Sequence, residues 1–180
     1  MGFRVTPVTR CFVMSHHDHK EHSPKSVTCA VVIISDSRTE ATDESGRYLK
    51  ERLPQLGHTV LSYALLRNDH VAIEQTVHGL LAQPDLNVII TSGGTGASHR
   101  DVTIETLGPL LEKRLDGFGE LFRFLTYQEI GTTSVMSRAM AGVANGKVLI
   151  SLPGSLAAVT LALEKIILPE VGHMVREATR

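Results

Sequence analysis

Three apolar runs in this 180-residue chain end in the same chemical way. VVIIS leads into Ser35, Asp36 and Ser37; NVIIT leads into Ser92, Gly93, Gly94, Thr95 and Gly96; LISL leads into Pro153, Gly154 and Ser155. Each bend combines hydroxyls, little side-chain bulk and exposed backbone N–H groups, and two of them run toward the start of a helix, where the dipole favours an anion. Phosphate is the anion such bends suit. The loop TSGGTGASHRDVT is the most specific, because its glycines let the backbone approach a ligand closely while Asp101 and Thr103 arrive a few residues later. It is not a Walker A loop, since Gly96 is followed by Ala97 and Ser98. It is not a dinucleotide fingerprint either, since His99 stands where the third glycine belongs.

A carboxylate beside a phosphate-receptive loop repels the ligand unless a divalent cation lies between them. Asp101 is therefore expected to ligate Mg2+ or to orient metal-bound water. The alternative is a cap on the helix expected near Thr103, a task Thr103 can perform itself. Asp69 stands just before a clean amphipathic run, which favours a cap over chemistry. Gly117 to Glu120 puts two glycines around Phe118 at a helix start. Arg138, beside Ser137, is the one cation in a stretch of Ala, Gly, Met and Val. It calls for either a carboxylate partner, Glu120 or Glu129, or a ligand phosphate. The histidines from His58 onward form no ligand spacing, and no Gly-x-Ser-x-Gly elbow is present.

These residues need a scaffold, and the periodicity supplies one. VTCAVVIIS from Val27 is a continuous apolar run of the kind found in a parallel strand covered on both faces. Thr42 or Asp43 can cap the helix that follows, with Tyr48, Leu49, Leu53 and Leu56 as its buried stripe and Pro54 ending it early. HTVLSYALL reads as a second strand. Asn68 or Asp69 caps a helix whose apolar positions Ile73, Val77, Leu80 and Leu81 fall at helical spacing. NVIIT is a third strand. The segment from Asp101 to Asn145 reads as mostly helix and loop, with helical spacing at Phe118, Leu121, Phe122 and Leu125. KVLISLP is the last strong strand, and Ser155 opens a terminal helix that Pro169 should kink. Strands alternating with helices in this way predict a three-layer α/β fold with a mostly parallel sheet, whose ligands sit beyond the carboxyl ends of the strands.

Composition limits the partners. A chain of 180 residues, 42% hydrophobic and 21% charged, describes one globular domain that buries roughly 70% of its unfolded surface. A formal charge of -1 without a basic run, together with 4% aromatics and no Trp, argues against nucleic acid. No apolar stretch approaches the roughly 20 residues of a membrane span, and Arg4 and Arg10 flank too short an apolar core for a secretory signal. Cys11 and Cys29 show neither disulfide nor zinc spacing, so a cytoplasmic location is expected. Residues 1–24 read as a disordered tail, with His16, His17, His19 and His22 clustered in it and Met14 as an alternative start; the domain is expected over 25–180.

TSGGTG with HRDVT, DGFGELFR, QEIGTTSVMSRAMAGVANGKVLISLPGS and ISDSRTEATDESGRYLKERL together resemble the MoaB/MogA family of molybdenum cofactor biosynthesis proteins, on the MoaB side. The resemblance runs from about Val27 to about Val171. It implies a molybdopterin-binding α/β fold assembled as a trimer or hexamer. It also implies a reaction in which ATP, with Mg2+, adenylylates the terminal phosphate of molybdopterin and releases pyrophosphate; the alternative is a non-catalytic molybdopterin-binding or scaffold protein of the same pathway. By position, Asp101 matches the essential aspartate after the Gly-Gly-Thr-Gly loop. A second functional aspartate is expected between Leu66 and His70, where gapless register puts Asn68 in its place and Asp69 one residue later. Ser35, Asp36, Ser92, Gly93, Gly94, Thr95, Gly96, Thr103, Glu120, Ser137, Arg138, Pro153, Gly154 and Ser155 are carried over as binding candidates.

Overall fold

The computed structural model describes residues 23–180. The His-rich segment and Cys11 lie outside the described residues. Ser23 and Pro24, grouped with the tail by the sequence reading, lie against the last helix: the Pro24 carbonyl is so close to Gly172 that a Cβ there would overlap it.

A six-stranded sheet carries the fold, its strands running across it in the order Thr59–Leu66 (β2), Thr28–Ile34 (β1), Val88–Ser92 (β3), Lys147–Leu152 (β6), Met140–Ala144 (β5) and Lys113–Arg114 (β4). β1 (Thr28–Ile34), β2 (Thr59–Leu66), β3 (Val88–Ser92) and β6 (Lys147–Leu152) are mutually parallel. Every residue of β3 and β6 is buried, as is β1 after Thr28, which is why these strands read as unbroken apolar runs rather than alternating ones. Successive β1 residues feed opposite layers. Val31 and Ile33 pack with Leu49 and Leu53 of α1 (Glu44–Gln55) and with Phe118 and Phe122 of α4 (Asp116–Ile130). Ala30, Val32 and Ile34 pack with Ile73, Val77, Leu80 and Leu81 of α2 (His70–Leu81) and with Leu107 of α3 (Thr103–Leu107). The predicted three-layer α/β architecture is present.

One segment departs from expectation. Residues 101–145 hold more than helix and loop: β5 (Met140–Ala144) pairs antiparallel with β6, and β4 (Lys113–Arg114) pairs antiparallel with β5. Ala and Gly carry little strand preference of their own, so only the partner strand makes this run extended. Of the residues at helical spacing in α4, Phe118 and Phe122 are buried but Leu121 is 43% exposed, and Phe124, Tyr127 and Ile130 are also exposed.

Local signals elsewhere resolve cleanly. Asp43, not Thr42, caps α1 by accepting a hydrogen bond from Gly46 N, and Pro54 sits in the last turn. The terminal helical run begins with α5 (Leu156–Ala162), passes through a π-helical stretch at Leu163–Ile167 and continues as α6 (Leu168–Ala178). Pro169 has no N–H to return to the preceding turn, and the widened turn absorbs that loss without breaking the helix.

Glu164, within the π-helical stretch, pins it to α1. It accepts hydrogen bonds from Arg52 Nε at 2.7 Å and Tyr48 OH at 2.9 Å. The Arg52 bond first, then the Tyr48 bond, hold the Glu164 carboxyl below the usual carboxylate range. A carboxylate depressed in the folded state contributes stability above its unfolded pKa of about 4.3 and loses that contribution as pH falls through the folded value. Chemical denaturation of the wild type should therefore weaken more steeply below about pH 5 than that of Glu164→Gln. The gap at neutral pH should stay under about 1 kcal/mol, because both partners are about one-third exposed.

Candidate functional site

β1, β3 and β6 are adjacent and parallel, so their carboxyl ends deliver the three bends to one place. At the end of β1, Ser35 N continues the ladder to Leu66 O at 2.8 Å, and Ser35 Oγ accepts from Ser37 N and Arg38 N, curling the chain outward. At the end of β3, Ser92 Oγ donates to Pro153 O at 3.1 Å and Gly93 N donates to Leu152 O at 2.9 Å, tying the second bend to the third. The third bend is tied to α1 by Ser45 Oγ, which donates to Gly154 O at 2.9 Å and, by accepting from Arg38 Nη1 at 3.2 Å, also reaches the residue that follows the first bend.

Together they enclose an open cavity of about 630 Å³. Ser35 and Asp36 line it from the first bend; Gly93, Gly94, Thr95, Gly96 and Asp101 from the second; Pro153 and Gly154 from the third. Ser137 and Arg138 close another side. A volume of this order suits a small-molecule ligand.

The remaining candidates are elsewhere or serve as braces. Ser92 and Thr103 are fully buried beneath the bends, Thr103 Oγ1 donating to Gly93 O at 2.8 Å. Neither Asp101 nor Thr103 caps α3, which starts without a side-chain cap. Ser155 caps α5 through Ala158 N. Glu120 lines a different cavity, of about 300 Å³, with Arg114, Asp116 and Arg123. Asp69 caps α2, accepting from Ala72 N at 2.8 Å, and does not line the main cavity. Asp69→Ala should lower stability by about 1 kcal/mol in a thermal melt and Asp69→Asn by much less, because Asn caps equally well.

Several lining residues escaped the sequence reading. Arg38 follows the first bend, three residues after Ser35, and enters the lining from there. Ile130, Thr133 and Met136 line the cavity from the end of α4 and the 3-10 turn at Gly131–Met136, a return path that no local pattern announces.

The polar groups around the cavity are unevenly satisfied. Asp36 accepts from Asn68 N at 3.0 Å and from Asn68 Nδ2 at 3.4 Å, while Asn68 Oδ1 is buried without a hydrogen-bond partner among the described residues. A Cβ on Gly94 would overlap both Asn68 Oδ1 and Thr103 Oγ1, so glycine is required for this close approach. Arg138 pairs with Glu105 rather than with Glu120 or Glu129. Burial works to raise the Glu105 carboxyl, but the hydrogen bonds from Arg138 and from its own backbone outweigh it and hold the group below the usual range. Asp101 Oδ2 accepts from Ser98 N at 3.1 Å, and its other oxygen has no protein partner among the described residues.

This donor set fits a hard dication that retains water and ligand oxygens. Asp101 and Asp36 both line the cavity, and no group of three or more His, Cys, Asp or Glu is gathered anywhere among the described residues. Mg2+ is commonly held by one or two carboxylates together with substrate phosphates, whereas a structural zinc site needs a fuller protein shell. Cys29 is buried, and burial pushes its thiol up to about 12, which leaves it inert. Among the described residues no helix is long and apolar enough to cross a membrane.

Comparison with known proteins agrees with this geometry. A family model described as "Probable molybdopterin binding domain" matches residues 30–173. The molybdenum cofactor biosynthesis protein B of Bacillus anthracis is 48% identical over 168 residues, covering 93% of this chain and 99% of the relative. A crystal structure of a molybdenum cofactor biosynthesis protein B superposes with a TM-score of 0.83 at 48% identity, over 87% of this chain and 98% of the other. The tungsten cofactor synthesizing protein MoaB from Pyrococcus furiosus superposes with a TM-score of 0.79 at 37% identity, over 88% and 100%. With the fold, the three converging bends and these likenesses in agreement, the chain belongs to the MoaB/MogA family of molybdenum cofactor biosynthesis, built on its molybdopterin-binding domain.

Proposed function

We propose that this protein is a Mg2+-dependent adenylyltransferase acting on molybdopterin. The terminal phosphate oxygen of molybdopterin forms a bond to the α-phosphorus of ATP, the bond from that phosphorus to the bridging oxygen breaks, and pyrophosphate leaves. A phosphate monoester is already ionised near neutral pH, so the attack needs no general base, only positioning and charge neutralisation. The observation that carries the reading is the convergence of three glycine- and hydroxyl-rich bends with Asp101 on one cavity, whose lining among the described residues offers hydroxyls, carboxylates and arginines. Asp101, with Asp36 also in the lining, would hold Mg2+, which when bound offsets the negative charge of the triphosphate. The glycine bends admit the phosphates close to the backbone, and Ser35, Thr95 and Ser137 offer hydroxyl donors. Purified protein incubated with molybdopterin, ATP and Mg2+ should release adenylylated product and pyrophosphate. Absence of product above a protein-free blank would refute the catalytic reading.

A second reading, a pterin-binding or scaffold protein without turnover, draws on Asn68, which lines the cavity where the family resemblance expects a carboxylate. Molybdopterin binding with no measurable affinity for ATP would favour it. For either reading the protein is proposed to work as a homo-oligomer, a trimer or hexamer. In support, Phe124, Tyr127, Ile130, Val135 and Met136 leave an exposed apolar band that reaches the cavity rim. A monomeric mass by light scattering would refute the assembly.

A further inference from the structure

Two arginines line the main cavity, and they are held differently. Arg138 is paired with Glu105 on α3. Arg38 is held from behind, through a single nitrogen: Nη1 donates to Ser45 Oγ at 3.2 Å and to Asp43 Oδ1 at 3.4 Å. Its Nε and Nη2 have no partner among the described residues, and its side chain is 27% exposed while that of Asp43 is 1% exposed. Asp43 is itself fixed. Its Oδ1 accepts from Gly46 N at 3.0 Å and its Oδ2 accepts from Tyr63 OH at 2.8 Å. Burial first, and the Asp43 carboxylate second, push the Tyr63 phenol up, so it stays a hydrogen-bond donor. A Cβ on Gly46 would overlap the Asp43 carboxylate, so the cluster has no slack. Ser45, also fully buried, carries the same cluster to the third bend through Gly154 O.

We propose that Arg38 is a phosphate-binding residue of the main cavity and that Asp43 is the positioning residue that aims it, with Ser45 setting its height against the Gly154 bend. The inference rests on the reading of the cavity as a phosphate site but not on turnover there. A guanidinium has five N–H groups in a planar fork; when one nitrogen is tethered at the rear, the remaining edge can grip two oxygens of a phosphate. Asp43 is already shared by Gly46 N and Tyr63 OH, and its contact with Arg38 is the longest of the three, so it orients the cation more than it neutralises it. Lysine at this position would keep the charge and lose the ability to be held at the back and to bind at the front.

Inorganic pyrophosphate, titrated calorimetrically with excess Mg2+, is the probe. Arg38→Gln should raise its Kd by about tenfold or more, as expected for losing a hydrogen bond to a charged group. Arg38→Lys should recover only part of the loss. Asp43→Asn should weaken binding in the otherwise wild-type protein but by less than twofold in the Arg38→Gln background, because a residue acting through Arg38 has nothing left to aim. If Asp43→Asn does not fold, Ser45→Ala takes its place in the same pair of backgrounds. The inference is overturned if wild type binds no pyrophosphate, if Arg38→Gln binds like wild type, or if the second substitution costs the same factor in both backgrounds. Arg38-dependent pyrophosphate binding in a protein that makes no adenylylated molybdopterin would uphold this inference and remove the catalytic reading, so the two fail separately.

Discussion

Asp101→Asn should lower adenylyl transfer by on the order of 10²–10³-fold while leaving the protein folded. The amide keeps one oxygen that can accept the hydrogen bond from Ser98 N, so the loop retains the brace seen at 3.1 Å. What disappears is the negative charge on a group that lines the phosphate cavity and whose second oxygen has no protein partner among the described residues. Asp101→Ala removes brace and charge together, and comparing the two variants separates those contributions. If Asp101 only braced the loop, asparagine would retain nearly full activity and alanine alone would fail. If it holds Mg2+, both variants fail, and in both the Mg2+ concentration needed for half-maximal rate rises. Thermal melts should place Asp101→Asn within about 0.5 kcal/mol of wild type, since the residue is only half-buried and asparagine keeps its shape.

The site was legible in the sequence wherever chemistry and local structure share the same short stretch. β1, β3 and β6 are buried on both faces, so their apolar runs stand out, and the bends that follow are the cavity lining itself. α2 was legible for the same reason: its buried stripe and Asp69 cap are local. What no short stretch of sequence shows is non-local. Met140–Ala144 is a strand only because β6 lies beside it, and Gly142 is required there because a Cβ would overlap the Lys113 carbonyl. Glu120 sits early in α4, and that helix carries it to a separate cavity rather than to the one its neighbours in the motif suggested. Arg38 was overlooked because its significance depends on Asp43 and Ser45, which the sequence shows only as a cap region and the structure shows as a buried tether. Glycine loops announce a site; which charged side chains enter it is decided by packing behind the loops.

Gly93→Ala should be among the most damaging single-methyl changes available in this protein, destabilising it by about 3 kcal/mol or more. Two costs combine. Gly93 adopts φ +105, a conformation L side chains rarely enter, and the added Cβ would overlap the carbonyl oxygen of Ile34 at the end of β1. That oxygen belongs to a central strand and cannot swing aside as the end of a long side chain would. Gly57 supplies the comparison: it has φ +84 in the turn between α1 and β2, but a Cβ there meets nothing within 4 Å. Gly57→Ala should therefore cost only the backbone strain, roughly 1–2 kcal/mol. The difference between the two variants in urea denaturation isolates the overlap between β1 and the second bend. Function should follow the same distinction. Gly93 O accepts from Thr103 Oγ1 and Gly93 N donates to Leu152 O, so displacing this residue shifts the second bend, with Asp101, relative to the third. Gly93→Ala should lose Mg2+-pyrophosphate binding even at temperatures where it is fully folded, whereas Gly57→Ala should bind as wild type does. Equal destabilisation by the two substitutions, or normal binding by Gly93→Ala, would mean that the close contact of β1 with the glycine bend does not set the geometry of the cavity.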